Sequence, residues 1–567
     1  MVVTIFALEQ DDSTRRSVKS FELNLSLEYL NPDCYNTSFA VMVVNNQFPA
    51  PALHVVKNDV VRFIIRNSDA ANNQSSSIHI HGIRQYGTTF SDGVAAITQL
   101  AIAPGQEFIQ EFQVLNQSGT YFYHAHMGVQ DDTITGPFIV HEDENSFSAA
   151  TELMTPVTEG IYTYDEERIL QWTEFWHQSG YDREKYYTGS SFINDNGPDS
   201  VLLNGRTVYN SSASQNDGEC AGFSYINVEP NKIYRFRFIG ALTFRILGIF
   251  IQDHNMTLME IDGEYVAPYN LKYLEIGAGQ RMSVLVKTGN YPAGSLFPIA
   301  SNFRWKINAD GFTENGYGYL RYVNATTPTA TIIMDKPVIA NFPADIFPAI
   351  DIPGWVLRDV KPLVSTERDI MILNRTADRT IKLFMQQVTE LDNTTRFRNN
   401  NRMHVPWGNS SSSLLEQVIA NSLGTIGTLD VTDGFSLSHQ TYPVNFGEVI
   451  DFVFQNSFNG DGVCVAHPWH THGHSHYLIS EGEGDYLHET DKDIRSFADP
   501  LLKDVSIAYP AIVNGSIGCG WTKVRILADN PGIWAVHCHI TAHMLQGKMI
   551  ILEAASDLIE STRRVFV

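Results

Sequence analysis

Four His-x-His pairs stand out in the chain: His79/His81, His124/His126, His470/His472 and His537/His539. In a β-strand, residues i and i+2 point to the same face, so each pair can offer two imidazoles to one spot. Eight neutral imidazoles gathered at one place are costly unless they bind metal. Imidazole suits zinc, copper, iron and nickel, so the pairs alone do not choose the ion. Cys538 lies between His537 and His539 and therefore faces away from them. His543 follows it by five residues, and His467 opens the run His467-Pro-Trp-His-Thr-His-Gly-His474. One thiolate with two imidazoles makes the trigonal site of blue copper. Zinc accepts the same ligands but leaves the back-to-back faces unexplained. The His-Cys-His tripeptide is a short covalent path for electrons from a one-electron acceptor to a polynuclear centre.

These side chains need strands to hold them. Segments 58–68, 105–114, 232–240 and 281–289 are short, apolar or alternating, and bounded by Gly, Asn, Asp or Pro. Long helical periodicity is scarce. The fold class expected is all-β, built of β-sandwich domains. The two ends of the chain resemble each other: 58–68 matches 447–457, and 117–126 matches 530–539. The middle third has the same strand style without histidine pairs, as a third copy lacking a site would. Polar residues 142–156 and the proline-bearing stretch 336–364 read as connections. The expected domains are 15–143, 155–335 and 365–567. The 567 residues fit three or four domains at about 150 each.

Composition narrows the partners. Hydrophobic residues are 43% and charged residues 18%, which is globular. A net charge of −24 argues against nucleic acid or an anionic membrane. No apolar run approaches the ~20 residues of a membrane span. The start, MVVTIFALEQ, has no basic n-region and reads as a trimmed signal or an expression remnant. Eleven Asn-x-Ser/Thr sequons favour a secreted protein bearing N-glycans. Four of the five cysteines can form two disulfides, with three connectivities open, and Cys538 is set apart.

The motifs His-Ile-His-Gly, His-Ala-His, HPWHTHGH and HCHITAH, in this order, resemble the four copper motifs of the multicopper oxidases. The match covers nearly the whole chain and is most similar to ascorbate oxidases and fungal laccases. It implies three cupredoxin-like domains and four copper ions: one type 1, one type 2 and two type 3. His467, Cys538 and His543 match the type 1 ligands. His79 and His470 match type 2; His81, His124, His126, His472, His537 and His539 match the type 3 pair. The implied reaction takes single electrons from a small aromatic or other reductant and reduces dioxygen to water. Cys34–Cys220 resembles the bridge between the first and second domains, which leaves Cys464 with Cys519.

Some positions depart from the family or need separate weighing. Ten residues after the cysteine, where relatives carry Met, Leu or Phe beside type 1 copper, stands Lys548. Either its alkyl stem packs by the metal while the amine reaches a polar partner, or a bulge brings in Met549. Thr541 occupies a position where some relatives carry a proton-relaying acid. Asp92 matches the acid near the cluster, and a turn before Gly93 is the plainer reading. Asp199 aligns with an acid that laccases place beside a phenolic hydroxyl, and Asp195 roughly with a ferroxidase acid; either can be loop. Trp176 and Trp407 resemble tryptophans of the ascorbate oxidase pocket, or cap the core. His467 and His543 are the candidates to meet the substrate. His474 reads as structural or supporting. His141, His177, His254, His476 and His488 read as packing or surface residues. The leading expectation is a laccase-like oxidase, with ascorbate oxidase and soluble ferroxidase as alternatives. A non-catalytic copper-binding relative is disfavoured, because all ten histidines and Cys538 are present.

Overall fold

The structure is a computed structural model. It describes residues 18–68, 73–152, 156–209, 220–305, 312–324, 327, 332–337, 357–403, 411–424, 426, 431–460, 462–513 and 516–566. Trp407 and most of the stretch 336–364 lie outside these residues.

Strands dominate, in three successive pairs of sheets. In the first, Val18–Leu30 is flanked by Phe39–Val44 and Val60–Asn67, with Glu107–Gln113 outermost. Facing it is a sheet in the order Leu53–Val56, Thr135–His141, Gly119–Ala125, Ile78–His81. The middle region has a six-stranded and a five-stranded sheet, and the last an eight-stranded and a five-stranded one. Alternation explains the inner strands: in Val60–Asn67, Val61, Phe63 and Ile65 are buried, while Arg62, Ile64 and Arg66 are partly exposed.

The internal repeat is visible in the pairing. A first strand lies parallel to a later one in all three regions: Val18–Leu30 with Val60–Asn67, Glu166–Phe175 with Ile233–Gly240, and Arg379–Thr389 with Val449–Gln455. Each later strand then pairs antiparallel with a further one. The middle region therefore shares the architecture without the histidines. Two disulfides are formed, Cys34–Cys220 and Cys464–Cys519, and the buried Cys538 belongs to neither.

The strands that carry the histidine pairs are buried on both faces. Ile78–His81, Gly119–Ala125, His467–Thr471 and Gly532–Cys538 are buried at every position. One face meets the strand's own core, and the other meets a neighbouring region. Charged side chains lock these joints. Glu260 accepts from Thr120 N–H at 2.6 Å, and Lys503 reaches Asp262 at 2.9 Å. Among the described residues, no helix is long and apolar enough to cross a membrane.

Candidate metal centre

Two antiparallel strand pairs present the histidines. Ile78–His81 runs beside Gly119–Ala125 with His79 opposite His124. His467–Thr471 runs beside Gly532–Cys538 with His470 opposite His537. The two ends of the chain thus bring equivalent pairs to one chamber. The eight imidazoles sort into three groups whose ligand atoms lie within 4.8 Å of one another: His79, His81 and His470; His81, His124 and His539; His126, His472 and His537.

This corrects one expectation. Not every pair serves a single spot. The ring centroids of His79/His81, His124/His126 and His537/His539 are 6.0, 5.9 and 5.8 Å apart. Side chains two residues apart on a strand stand nearly 7 Å apart at their roots. His124 and His126 therefore go to different groups, as do His537 and His539.

Two aspartates orient four of the rings, each through one carboxylate oxygen and its main-chain carbonyl. His79 Nδ1–H donates to the Asp92 carbonyl oxygen at 2.6 Å, and His472 Nδ1–H to Asp92 Oδ2 at 2.9 Å. His470 Nδ1–H donates to the Asp504 carbonyl oxygen at 3.0 Å, and His81 Nε2–H to Asp504 Oδ1 at 3.1 Å. Each aspartate therefore holds one histidine from either end of the chain. His124 and His537 donate Nδ1–H to the carbonyl oxygens of Ala125 and Cys538, at 2.8 and 3.0 Å. Because carbonyl and carboxylate oxygens only accept, these contacts fix the tautomers and aim the second nitrogen's lone pair inward.

The inward nitrogens fit a metal. His79 Nε2, His124 Nε2 and His470 Nε2 are buried without a hydrogen-bond partner. His472 Nε2 lies 3.1 Å from His537 Nε2, yet the proton of each ring is on its other nitrogen. Burial pushes the His537 imidazole down to about 3 and the His472 imidazole well below its ordinary value, so neither gains a second proton at neutral pH. Two lone pairs then face each other, and a cation between them removes the conflict. Two metal–nitrogen bonds of about 2 Å set roughly this spacing. Burial likewise holds His81, His124, His126 and His539 well below the usual histidine range.

Behind Gly532–Cys538 lies the second centre. Cys538 Sγ is 3.6 Å from His467 Nδ1 and 3.8 Å from His543 Nδ1. His467 is buried and His543 partly exposed, so His543 is the more open edge. Lys548 is buried, and its ammonium sits 4.7 Å over the Phe397 ring. Burial pushes the Lys548 amine down to about 8, against an upward pull from Cys538. Met549 pairs opposite His537 in unbroken register and packs with Val94, Ile97 and Ile533, so no bulge turns it toward the sulfur.

Other expected residues are placed as follows. Asp92 is fully buried between His79 and His472, which exceeds a turn-forming role. Gly93 beside it has φ +84°, and a Cβ there would come within 1.7 Å of the Ile78 carbonyl oxygen. Asp199 accepts His177 N–H at 2.7 Å. Asp195 accepts the Tyr187 hydroxyl at 3.3 Å and Gly197 N–H at 2.9 Å. Trp176 lies 3.7 Å beneath the Arg183 guanidinium and packs with Phe244, Cys538 and Ile540. It also lines a cavity of about 410 Å³ with Met127, Asp132 and Phe175. His177 is held by Asp33 and stacks on Tyr35; His254 bonds Tyr322; His476 bonds Thr471 and Ser506. His474 sits edge-on to Trp534, and His488 beside Tyr486.

Sequence reasoning missed four residues. Asp504 sits in Leu-Leu-Lys-Asp-Val, which carries no motif. Arg281, from the middle region, grips both Asp504 oxygens at 2.6 Å. Burial pushes the Asp504 carboxyl up, but Arg281 more than offsets it and holds it below the usual range. Gly279 (φ +83°) lies so close that a Cβ would come within 2.7 Å of His81 and 2.9 Å of His539. Asp131 accepts the Thr541 hydroxyl at 2.6 Å, so a carboxyl from another segment stands beside position 541.

A cysteine centre joined through the main chain to a chamber of eight buried imidazoles defines a metal-dependent redox protein on three β-sandwiches. Comparison with known proteins makes that class specific. Family models described as multicopper oxidase match residues 25–145, 166–325 and 411–557. The L-ascorbate oxidase of Nicotiana tabacum is 28% identical over 97% of this chain and 93% of its own length. Laccase-like multicopper oxidase 1 of Thermothelomyces thermophilus is 29% identical over 89% of this chain and 82% of its own. The crystal structure of Fet3p, a multicopper oxidase that functions in iron import, superposes with a TM-score of 0.73. It is 24% identical and covers 97% of this chain and 93% of that one. The chain belongs to the multicopper oxidase family: it is a copper-binding oxidoreductase that uses oxygen and a reductant.

Proposed function

We propose that the protein is a secreted, laccase-like oxidase of phenolic or related aromatic donors that carries four copper ions. The observation that carries this reading is the position of Cys538 between His537 and His539, one in each of two three-histidine groups. In this reading His467, Cys538 and His543 hold type 1 copper, and His79 and His470 hold type 2. His81, His124 and His539 hold one type 3 ion, and His126, His472 and His537 the other. Bound there, copper supplies one-electron oxidation of the donor and reduction of dioxygen to water.

The chain's own residues set the rest. His543 is the partly exposed ligand, and a donor resting against its edge meets the thiolate centre by the shortest route. From the sulfur, the main chain leads to either histidine group through one peptide bond. Asp92 and Asp504 fix ring tautomers and hold the two ends of the chain in register around the chamber. Asp92 Oδ1 is buried without a hydrogen-bond partner, which suits a group that passes protons to the chamber.

The reading takes the sandwiches as 15–143, 155–335 and 365–567, supported by the repeated parallel pairing of their first strands. Asp199, Trp176 and Trp407 remain its candidate donor contacts. Asp199 Oδ2 accepts His177 N–H, and Oδ1 is the oxygen left to take the phenol proton. N-glycans at the sequons belong to the same reading. Oxygen uptake by the copper-loaded protein, with a dimethoxyphenol and with ascorbate at equal concentration, tests it. Faster uptake with the phenol is expected. A strong preference for ascorbate moves the protein to the ascorbate oxidases. No uptake with either, and uptake with ferrous iron, makes it a ferroxidase.

A further inference from the structure

A second histidine cluster lies outside the copper ligands, where the first sandwich meets the second. His54 is on Leu53–Val56, and His141 ends the neighbouring parallel strand Thr135–His141. Glu167 comes from Glu166–Phe175 in the middle region. His54 Nδ1 is 3.0 Å from His141 Nε2, and one ligand atom from each of the three residues lies within 4.8 Å of the others. The sequence alone gave His141 a packing role; the structure puts it in this cluster.

We propose that His54, His141 and Glu167 form a divalent transition-metal site, suited to zinc, that ties the first sandwich to the second.

The donor set is the first reason. Two imidazoles and one carboxylate with a position left open is a recurring zinc arrangement, and two metal–nitrogen bonds of about 2 Å give roughly the nitrogen spacing seen. The surroundings are the second. His141 Nδ1 is buried, makes no hydrogen bond, and faces Glu159 Oε1 at 3.7 Å. A metal-bound histidine commonly turns its other nitrogen toward a carboxylate in this way. Arg237 donates Nε–H and Nη2–H to Glu167 Oε2, at 3.0 and 2.8 Å, which fixes the carboxylate and leaves its second oxygen for an ion.

Charge and access agree. Burial pushes the Glu167 carboxyl up, but Arg237 and His141 more than offset this and leave it below the usual range, hence ionised. Burial pushes the His54 imidazole down to about 4, so at neutral pH it brings a lone pair rather than a charge. Glu159, Glu167 and Glu260 face Arg235 and Arg237 here, so a divalent ion meets a set with one more carboxylate than guanidinium rather than a cationic pocket. His54 is partly exposed, which gives an ion a way in.

The alternative is a metal-free hydrogen-bond chain from His54 through His141 to Glu159. Calorimetric titration of the copper-loaded full chain with Zn²⁺, followed by elemental analysis after gel filtration, separates the two. Wild type is expected to retain one zinc per chain beyond its copper. His54→Ala and Glu167→Gln are expected to bind it at least tenfold more weakly, with copper content and oxygen uptake unchanged. Zinc is also expected to raise the thermal midpoint of wild type only. If His54→Ala does not fold, His54→Gln keeps the side-chain length and serves the same test. Wild type that retains no zinc, or variants that retain as much as wild type, overturns the proposal.

Discussion

Replacing Asp504 by Asn tests the supporting shell of the chamber. The carboxylate accepts two N–H bonds from Arg281 at 2.6 Å and one from His81 at 3.1 Å. An amide of the same shape keeps one accepting oxygen and turns the other into an N–H that meets a guanidinium donor. Arg281, Lys503, Asp262 and Asp504 form a buried, charge-balanced set. Asp504→Asn leaves that set with one net positive charge. Breaking a buried pair from one side costs about 3–5 kcal/mol. Loss of the partner that orients a ligand histidine weakens metal binding by roughly 10–100-fold. Competition with a copper chelator, together with the thermal midpoint of the loaded protein, reads both effects. His470 keeps its bond to the residue's carbonyl oxygen, so the loss falls on the two groups that share His81. A variant with wild-type copper affinity and midpoint refutes the idea that Asp504 holds the chamber together.

Other outcomes follow from the same geometry. Gly279→Ala places a methyl against His81 and His539 at a positive φ, and oxygen uptake is expected to fall at least tenfold with copper lost. A fully loaded, active variant contradicts that packing. Lys548→Leu removes a cation that favours the reduced ion beside Cys538, so a redox titration is expected to show a lower type 1 potential; an unchanged or higher value rejects the electrostatic role. Burial pushes the Glu481 carboxyl up to about 7, against the pull of Arg358. The folded state then binds its proton more tightly than the unfolded state. That contribution is full below about 4.5 and is lost as pH rises through about 7, about 3 kcal/mol in all. Glu481→Gln is expected to flatten this slope in denaturation measured across that window, and an unaltered slope argues against it. Asp92→Asn is expected to slow turnover mainly at higher pH, where proton supply is scarce. A pH–rate profile of unchanged shape leaves Asp92 a positioning residue only.

The candidate ligands were legible because their signal is local. His-x-His on a strand, and a cysteine between two histidines, state their facing directions through period two alone. What period two omits is distance, which is why the pairs looked as if each served one site. The supporting residues were illegible for a different reason. Asp504 meets His81 across 423 positions of sequence, and Arg281 and Gly279 arrive from a region without ligands. Nothing in their neighbourhoods has a period or a spacing to read. The repeat of three sandwiches was visible in strand-like segments and is confirmed in the pairing of their first strands. Thr541 shows the limit of aligning positions one at a time, since the carboxyl beside it belongs to Asp131. Asp199 shows it again: a matched position can hold a neighbouring main-chain N–H, here that of His177.

The central claim is that Cys538 feeds electrons to a chamber that reduces dioxygen completely. The most direct test is the ratio of dioxygen consumed to one-electron donor oxidised by the copper-loaded protein, with peroxide assayed in the same vessel. One dioxygen per four donor molecules, without peroxide, is the result the account predicts. One dioxygen per two donors, with peroxide released, would contradict it.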